Sequence, residues 1–87
     1  YGLPYSNDMW PQHPTATDFP GLPLIDGTTV IDPSVDAHEQ ARLTEAYTRR
    51  AIDFIDRQRD RPFLLMVEYA MPHVPLFPDS AFVGSSE

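Results

Sequence analysis

The chain has 87 residues, no cysteine and a formal net charge of −7, so we expect one small domain or part of a larger one, without disulfide support. An acidic chain does not suit nucleic acid or anionic lipid as a partner, because both call for a basic surface. The longest apolar run, Phe63 to Val67, is far too short to span a membrane; since Tyr1 opens the chain and no leader pattern follows, we expect an internal fragment of a longer protein.

Residues 1–21 are predicted to form an irregular but ordered loop. Proline accounts for 10 of the 87 residues and is concentrated near both ends of the chain, where it excludes long helices and central strands. The same segment contains Tyr5, Trp10 and Phe19, which are costly to leave in water. We therefore expect this first loop to lie against a protein surface.

A small β-hairpin is predicted over residues 22–32. The dipeptide Asp26-Gly27 separates two β-prone stretches, and Asp-Gly in that setting is among the stronger local signals for a hairpin turn. Residues 32–41 are then interpreted as a polar connector.

The clearest helix is predicted over residues 43–59. Thr44 is a candidate N-cap, and Arg61-Pro62 ends the helix. Helical spacing places four apolar residues on one face: Tyr47, Ala51, Phe54 and Ile55. The arginines are interpreted as a solvated face and helix end: Arg49, Arg50, Arg57, Arg59 and Arg61.

Residues 63–70, with the sequence FLLMVEYA, are predicted to form a buried strand. A nearly continuous apolar run without alternation is typical of a strand covered on both faces, and a helix leading into it is half of an α/β unit. Such a strand needs neighbours that this chain does not contain. The predicted class is therefore α/β, as a fragment of a larger sheet protein.

Two polar residues are candidates for a functional site. His73 lies in the loop 71–78, between Pro72 and Pro75 and just beyond the predicted strand, where ligands bind in open α/β sheets. An imidazole there can donate to an anionic oxygen or protonate a leaving group; a histidine that merely packs in its loop is an equal alternative. The Ser6 hydroxyl can donate to a substrate oxygen, although a turn role is favoured for this residue taken alone.

Other catalytic or ligand-binding patterns are absent from the sequence. It has no glycine-rich phosphate loop, no Gly-x-Ser-x-Gly elbow and no zinc or dinuclear-metal constellation. No metal ligand is therefore assigned in this segment.

Several stretches, taken in order, resemble arylsulfatase-type sulfatases of the alkaline-phosphatase-like superfamily. Residues 1–9, YGLPYSNDM, resemble the family segment G-[IL]-P-Y-S-x-D. Residues 47–55 look like the helix of the family, and residues 59–65, RDRPFLL, look like its DRPFFL strand entry. Residues 71–77, MPHVPLF, resemble its H-x-P-L loop.

The resemblance implies a mixed-sheet α/β sandwich that hydrolyses a sulfate ester at a calcium site, with a formylglycine nucleophile made from a Cys/Ser-x-Pro-x-Arg motif. Ser6 matches the family serine near the substrate sulfate, and His73 matches the histidine that hydrogen-bonds the ester and assists the leaving oxygen. The implied substrate is a small-molecule or glycan sulfate ester. The implied location is periplasmic, secreted or lysosomal.

The sequence also departs from the family pattern. It contains no Cys/Ser-x-Pro-x-Arg motif and no lysine, and the calcium-binding aspartates are not identifiable. We therefore expect the nucleophile and the metal ligands to lie outside this segment, and the segment alone to be inactive. A phosphate or phosphonate ester hydrolase of the same superfamily, or a non-catalytic binding module on that scaffold, remain alternatives.

Overall fold

The computed structural model describes residues 1–16 and 18–84. It contains an antiparallel hairpin of β1, Leu24–Asp26, and β2, Thr29–Asp32. The predicted hairpin is confirmed, but the turn consists of Gly27 and Thr28, one residue later than Asp26-Gly27. Gly27 has a φ of 61°, which suits the first central position of a primed hairpin turn.

Gly2 connects the first loop to this hairpin. Its amide donates to the Ile25 carbonyl at 2.8 Å, and the Ile25 amide donates back to the Gly2 carbonyl at 2.9 Å. Gly2 has a φ of 148°, and a Cβ at this position would lie 3.3 Å from the Tyr47 hydroxyl. The loop is thus fixed at its start, and glycine is favoured there by its backbone conformation and by the close approach of Tyr47.

The connector contains a helical turn that the sequence interpretation missed. Helix α1 spans Ala37–Gln40 and begins with a capping box. The Asp36 carboxylate accepts from the Glu39 amide at 2.8 Å, and the Glu39 carboxylate accepts from the Asp36 amide at 2.7 Å. An acidic residue followed three positions later by Glu is the pattern that could have revealed it.

Helix α2 spans Leu43–Gln58, close to the predicted range 43–59. The prediction that Thr44 is its N-cap is wrong, because Arg42 occupies that position without a side-chain cap. The Arg42 carbonyl already accepts from the Ala46 amide at 3.0 Å. Thr44 therefore lies inside the first turn.

The apolar face of α2 is only partly covered. Leu43 and Tyr47 are buried, whereas Ile55 is 41% exposed. The five arginines assigned to a solvated face are all exposed, as predicted: Arg49, Arg50, Arg57, Arg59 and Arg61. The later turns of the helix consequently contribute little to the core.

Residues 63–70 do not form the predicted buried strand. The segment has no regular secondary structure, and residues 63–69 take part in no backbone–backbone hydrogen bond within the described part of the chain. Leu64 is 83% exposed and Met66 73% exposed. A strand requires a hydrogen-bonding neighbour, and the described residues supply only the two paired strands β1 and β2.

The core lies between the two ends of the chain. Trp10, Leu22 and Val35 form a buried cluster against which Phe77 packs. The first loop and the loop of residues 71–78, termed the His73 loop, therefore meet at this cluster. The described elements make a small α/β arrangement, and none of its helices is long and apolar enough to cross a membrane.

Candidate functional site

An open cleft of about 340 Å³ lies between the first loop and the segment that leads into the His73 loop. Ser6 and His73, the two residues singled out from the sequence, both line it. They come from opposite ends of the chain, so the fold brings the two candidates to one place. Its remaining lining residues are Leu3, Pro4, Tyr5, Asn7, Tyr47, Glu68, Tyr69 and Ala70.

The local backbone fixes the orientation of His73. Its amide donates to the Ala70 carbonyl at 2.9 Å, and its ring Nδ1 lies 2.6 Å from the Val74 carbonyl oxygen. Because a carbonyl oxygen can only accept, Nδ1 carries the proton of this hydrogen bond. Nε2 is therefore an acceptor in the neutral ring and becomes a donor when the ring is doubly protonated.

Asp8 adds a negative charge beside the two candidates. The Ser6 side chain, which donates towards the Asp8 carboxylate, lowers the pKa of that carboxyl, and the nearby charges of His73 and His13 act in the same direction. The Ser6 carbonyl accepts from the Met9 amide at 3.1 Å, so these residues also form a turn.

A buried amide pair lies directly beneath Ser6. Asn7 is 5% exposed and Gln40 3% exposed. The Asn7 side-chain nitrogen donates to the Gln40 side-chain oxygen at 3.0 Å and to the Pro75 carbonyl at 3.2 Å, while Gln40 donates back to the Asn7 carbonyl at 3.2 Å. No sequence signal indicated this pair, because its partners are distant in sequence.

Tyr47 forms a wall of the cleft. Its hydroxyl accepts from the Leu3 amide at 3.1 Å, and burial raises its pKa. The Tyr69 ring lies 6.1 Å from the Tyr47 ring, and the Tyr69 hydroxyl is hydrogen-bonded to Thr48 at 2.8 Å. Tyr47 thus connects helix α2 to both segments that carry the candidate residues.

The described residues do not fit the calcium site or the nucleophile that the resemblance implies. No three His, Asp or Glu side chains of residues 1–16 and 18–84 cluster in a way that could hold a metal ion. The sequence has no cysteine, and none of its serines is in a Ser-x-Pro-x-Arg context. What the cleft offers is the Ser6 hydroxyl, the His73 imidazole and the Glu68 carboxylate.

Comparison with known proteins identifies relatives that share this segment. The chain is 31% identical to rat arylsulfatase G over 101 aligned residues, which cover 87% of this chain and 19% of that protein. Mouse arylsulfatase G matches to the same extent. Human N-acetylgalactosamine-6-sulfatase is 39% identical over 49 residues, which cover 55% of this chain and 9% of that protein.

Two further comparisons found nothing. No family model matches the sequence. No solved structure matches it either.

The chain spans about a fifth of the length of the arylsulfatase G proteins, 19%, and the shared segment includes most of this sequence. The similarity to these enzymes confirms the resemblance drawn from the motifs: the chain is related to the sulfatase family.

Proposed function

We propose that this chain is part of a sulfuric ester hydrolase, and that Ser6 and His73 contact the sulfate ester. The observation that carries the proposal is the shared cleft, which joins two residues from distant motifs in a sequence related to sulfatases. The nucleophile and the metal ligands would come from sequence outside this segment. Residues 63–70 would then join the larger mixed sheet of the complete protein.

Ser6 would bind a non-bridging oxygen of the sulfate. Its hydroxyl has a single proton; the Ser6 side chain interacts with the Asp8 carboxyl, whose pKa it lowers, and the proton would be directed to the substrate oxygen on binding. Aimed donors in a desolvated site stabilise the charge that develops in a transition state, and losing one commonly costs on the order of 10²-fold in rate. Asp8 would hold the hydroxyl ready until the substrate arrives.

His73 would assist the leaving oxygen. As the S–O bond breaks, its electron pair stays on the leaving oxygen, which then needs a proton. The ring donates through Nδ1 to Val74, so the proton for the leaving group comes from Nε2 of the doubly protonated ring. Transfer leaves a neutral imidazole that is still held by its Nδ1 hydrogen bond.

The calcium ion and the formylglycine implied by the family would supply charge neutralisation and a nucleophile in the complete enzyme. The substrate would be a small-molecule or glycan sulfate ester, and the relatedness to N-acetylgalactosamine-6-sulfatases favours a sulfated sugar. The complete protein would be periplasmic, secreted or lysosomal.

The test is an assay of the complete protein on a matched aryl sulfate and aryl phosphate. We expect the sulfate to be hydrolysed with the higher kcat/KM. A higher kcat/KM on the phosphate would indicate that the protein is a phosphate ester hydrolase. If it turned over neither substrate and its flanking sequence lacked Cys/Ser-x-Pro-x-Arg, the enzymatic proposal would be wrong and a binding module would replace it.

A further inference from the structure

The candidate residues Ser6 and His73 are on separate loops, and neither loop belongs to a long helix or a sheet. A hydroxyl and an imidazole that contact the same ester must be held at a fixed separation, because a misplacement of about 1 Å can cost on the order of 10²-fold in rate. Some contact between the loops must therefore set that separation.

Asn7 makes such a contact. It follows Ser6 directly, and its side-chain nitrogen donates to the carbonyl of Pro75, two residues after His73. The second proton of the same nitrogen goes to Gln40. Both donor positions of this amide are thus used, as a polar group that is only 5% exposed requires.

Gln40 fixes the orientation of Asn7. It is 3% exposed, and it accepts from the Asn7 side chain while donating to the Asn7 carbonyl. It is the last residue of α1, the turn started by the Asp36 and Glu39 capping box. Helix α1 thereby places the buried side-chain amide of Gln40 against Asn7 of the first loop.

We propose that Asn7, oriented by Gln40, is a positioning residue that sets the distance between the Ser6 hydroxyl and the His73 imidazole. This inference rests on the proposed function for its catalytic consequence. The Trp10 and Phe77 rings also join the two loops, so the loops stay associated without Asn7. Asn7 determines how the two loops are aligned with each other, because its hydrogen bond to the Pro75 carbonyl is directional.

The test uses the complete protein and the variants Asn7→Ala and Asn7→Asp. Asn7→Asp keeps nearly the same side-chain shape, but it places a carboxylate oxygen against two hydrogen-bond acceptors, the Gln40 side-chain oxygen and the Pro75 carbonyl. Leu43→Ala, at a position of α2 that is 4% exposed and outside the cluster contacted by Phe77, is the control for general loss of stability. Hydrogen exchange of a peptide covering residues 71–78 reports on the His73 loop independently of activity.

We expect both Asn7 variants to exchange faster over residues 71–78 than the wild type and Leu43→Ala. We also expect kcat on an aryl sulfate to fall by at least about tenfold, with a smaller change in KM. In the His73→Ala background, Asn7→Ala should lower kcat less than about twofold further, since residues that act through one another are not additive.

Unchanged exchange over residues 71–78 would overturn the proposal whatever the activity. Faster exchange together with additive losses of kcat in the Asn7→Ala, His73→Ala double variant would overturn the catalytic consequence. A residue that affects only stability would lower kcat independently of His73. If the complete protein hydrolyses no sulfate ester, the proposed function fails instead, and the exchange experiment alone decides whether Asn7 holds the loop.

Discussion

Trp10 and Phe77 pack edge to face, with ring centroids 5.5 Å apart and planes at 75°. One ring belongs to the first loop and the other to the His73 loop, so this contact closes the chain on itself. Edge-to-face geometry is favourable for aromatic rings beyond the area that they bury. The same two loops supply Ser6 and His73 to the cleft.

Trp10→Ala should therefore lower the free energy of unfolding by about 3 kcal/mol, as expected when a large buried side chain leaves a cavity. Trp10 is 7% exposed and forms the centre of the cluster with Leu22 and Val35. Thermal unfolding of the complete protein measures the loss. Trp10→Phe, which keeps an aromatic ring towards Phe77, should lose less; equal losses for both variants would contradict the role of the ring contact.

His73→Ala should reduce turnover of a sulfate ester by at least about tenfold without unfolding the protein, since His73 is exposed and its removal opens no core cavity. The reason is the loss of the proton donor for the leaving oxygen. Steady-state kinetics and circular dichroism of the complete protein check both parts. Wild-type kinetics in this variant would remove His73 from the mechanism.

A substrate with a good leaving group sharpens this test. A leaving oxygen that is stable as an anion needs little help from a proton, so the loss in His73→Ala should be smaller on a nitrophenyl sulfate than on an alkyl sulfate. Equal losses on both substrates would indicate that His73 binds the sulfate group and does not protonate the leaving oxygen.

Ser6→Ala should raise the pKa of the Asp8 carboxyl towards its ordinary value. The Ser6 side chain is the largest cause of the lowered pKa of Asp8. A carboxyl whose pKa is lower in the folded state stabilises the protein at pH values above its ordinary pKa, and this stabilisation is lost as the pH falls through the folded-state pKa. A carboxyl-detected NMR titration of Asp8 measures the change. An Asp8 pKa that is the same in both proteins would rule out the interaction.

The local elements of this fold could be predicted from sequence because their causes are local. The hairpin follows from a turn dipeptide between β-prone residues, and α2 follows from helical periodicity. His73 was a candidate from its position beyond the predicted strand and Ser6 from its hydroxyl, but each has an ordinary structural alternative, and the family resemblance was needed to favour the functional interpretation. Their convergence on one cleft required the structure.

The failures also have physical reasons. The apolar run 63–70 was predicted to be buried because its composition suits a buried strand, but composition cannot supply the neighbouring strands that pairing needs. Asn7 and Gln40 were missed because single amides in a sequence carry no sign of burial. Thr44 was proposed as an N-cap because the preceding turn α1, which leads directly into α2, had not been recognised.

Gly2→Ala should destabilise the first loop by about 1–3 kcal/mol, the usual range for a side chain forced into a disfavoured backbone region. The φ of 148° and a contact of 3.3 Å with the Tyr47 hydroxyl both oppose a Cβ. Gly27→Ala is a reference for a glycine with a positive φ, 61°, in open space. If Gly2→Ala melts at the wild-type temperature, neither the backbone conformation of Gly2 nor its contact with Tyr47 opposes a side chain.

The isolated 87-residue chain should hydrolyse no sulfate ester, and its amides should be weakly protected from hydrogen exchange. Residues 63–69 make no backbone–backbone hydrogen bonds within the described part of the chain, so their amides should exchange within seconds, and Leu64 and Met66, 83% and 73% exposed, should bind a hydrophobic dye. Amide exchange, circular dichroism and an aryl sulfate assay on the chain test this. A cooperative thermal transition with strong protection across residues 63–70 would contradict the dependence on outside strands, and sulfate hydrolysis by the chain alone would contradict an external nucleophile.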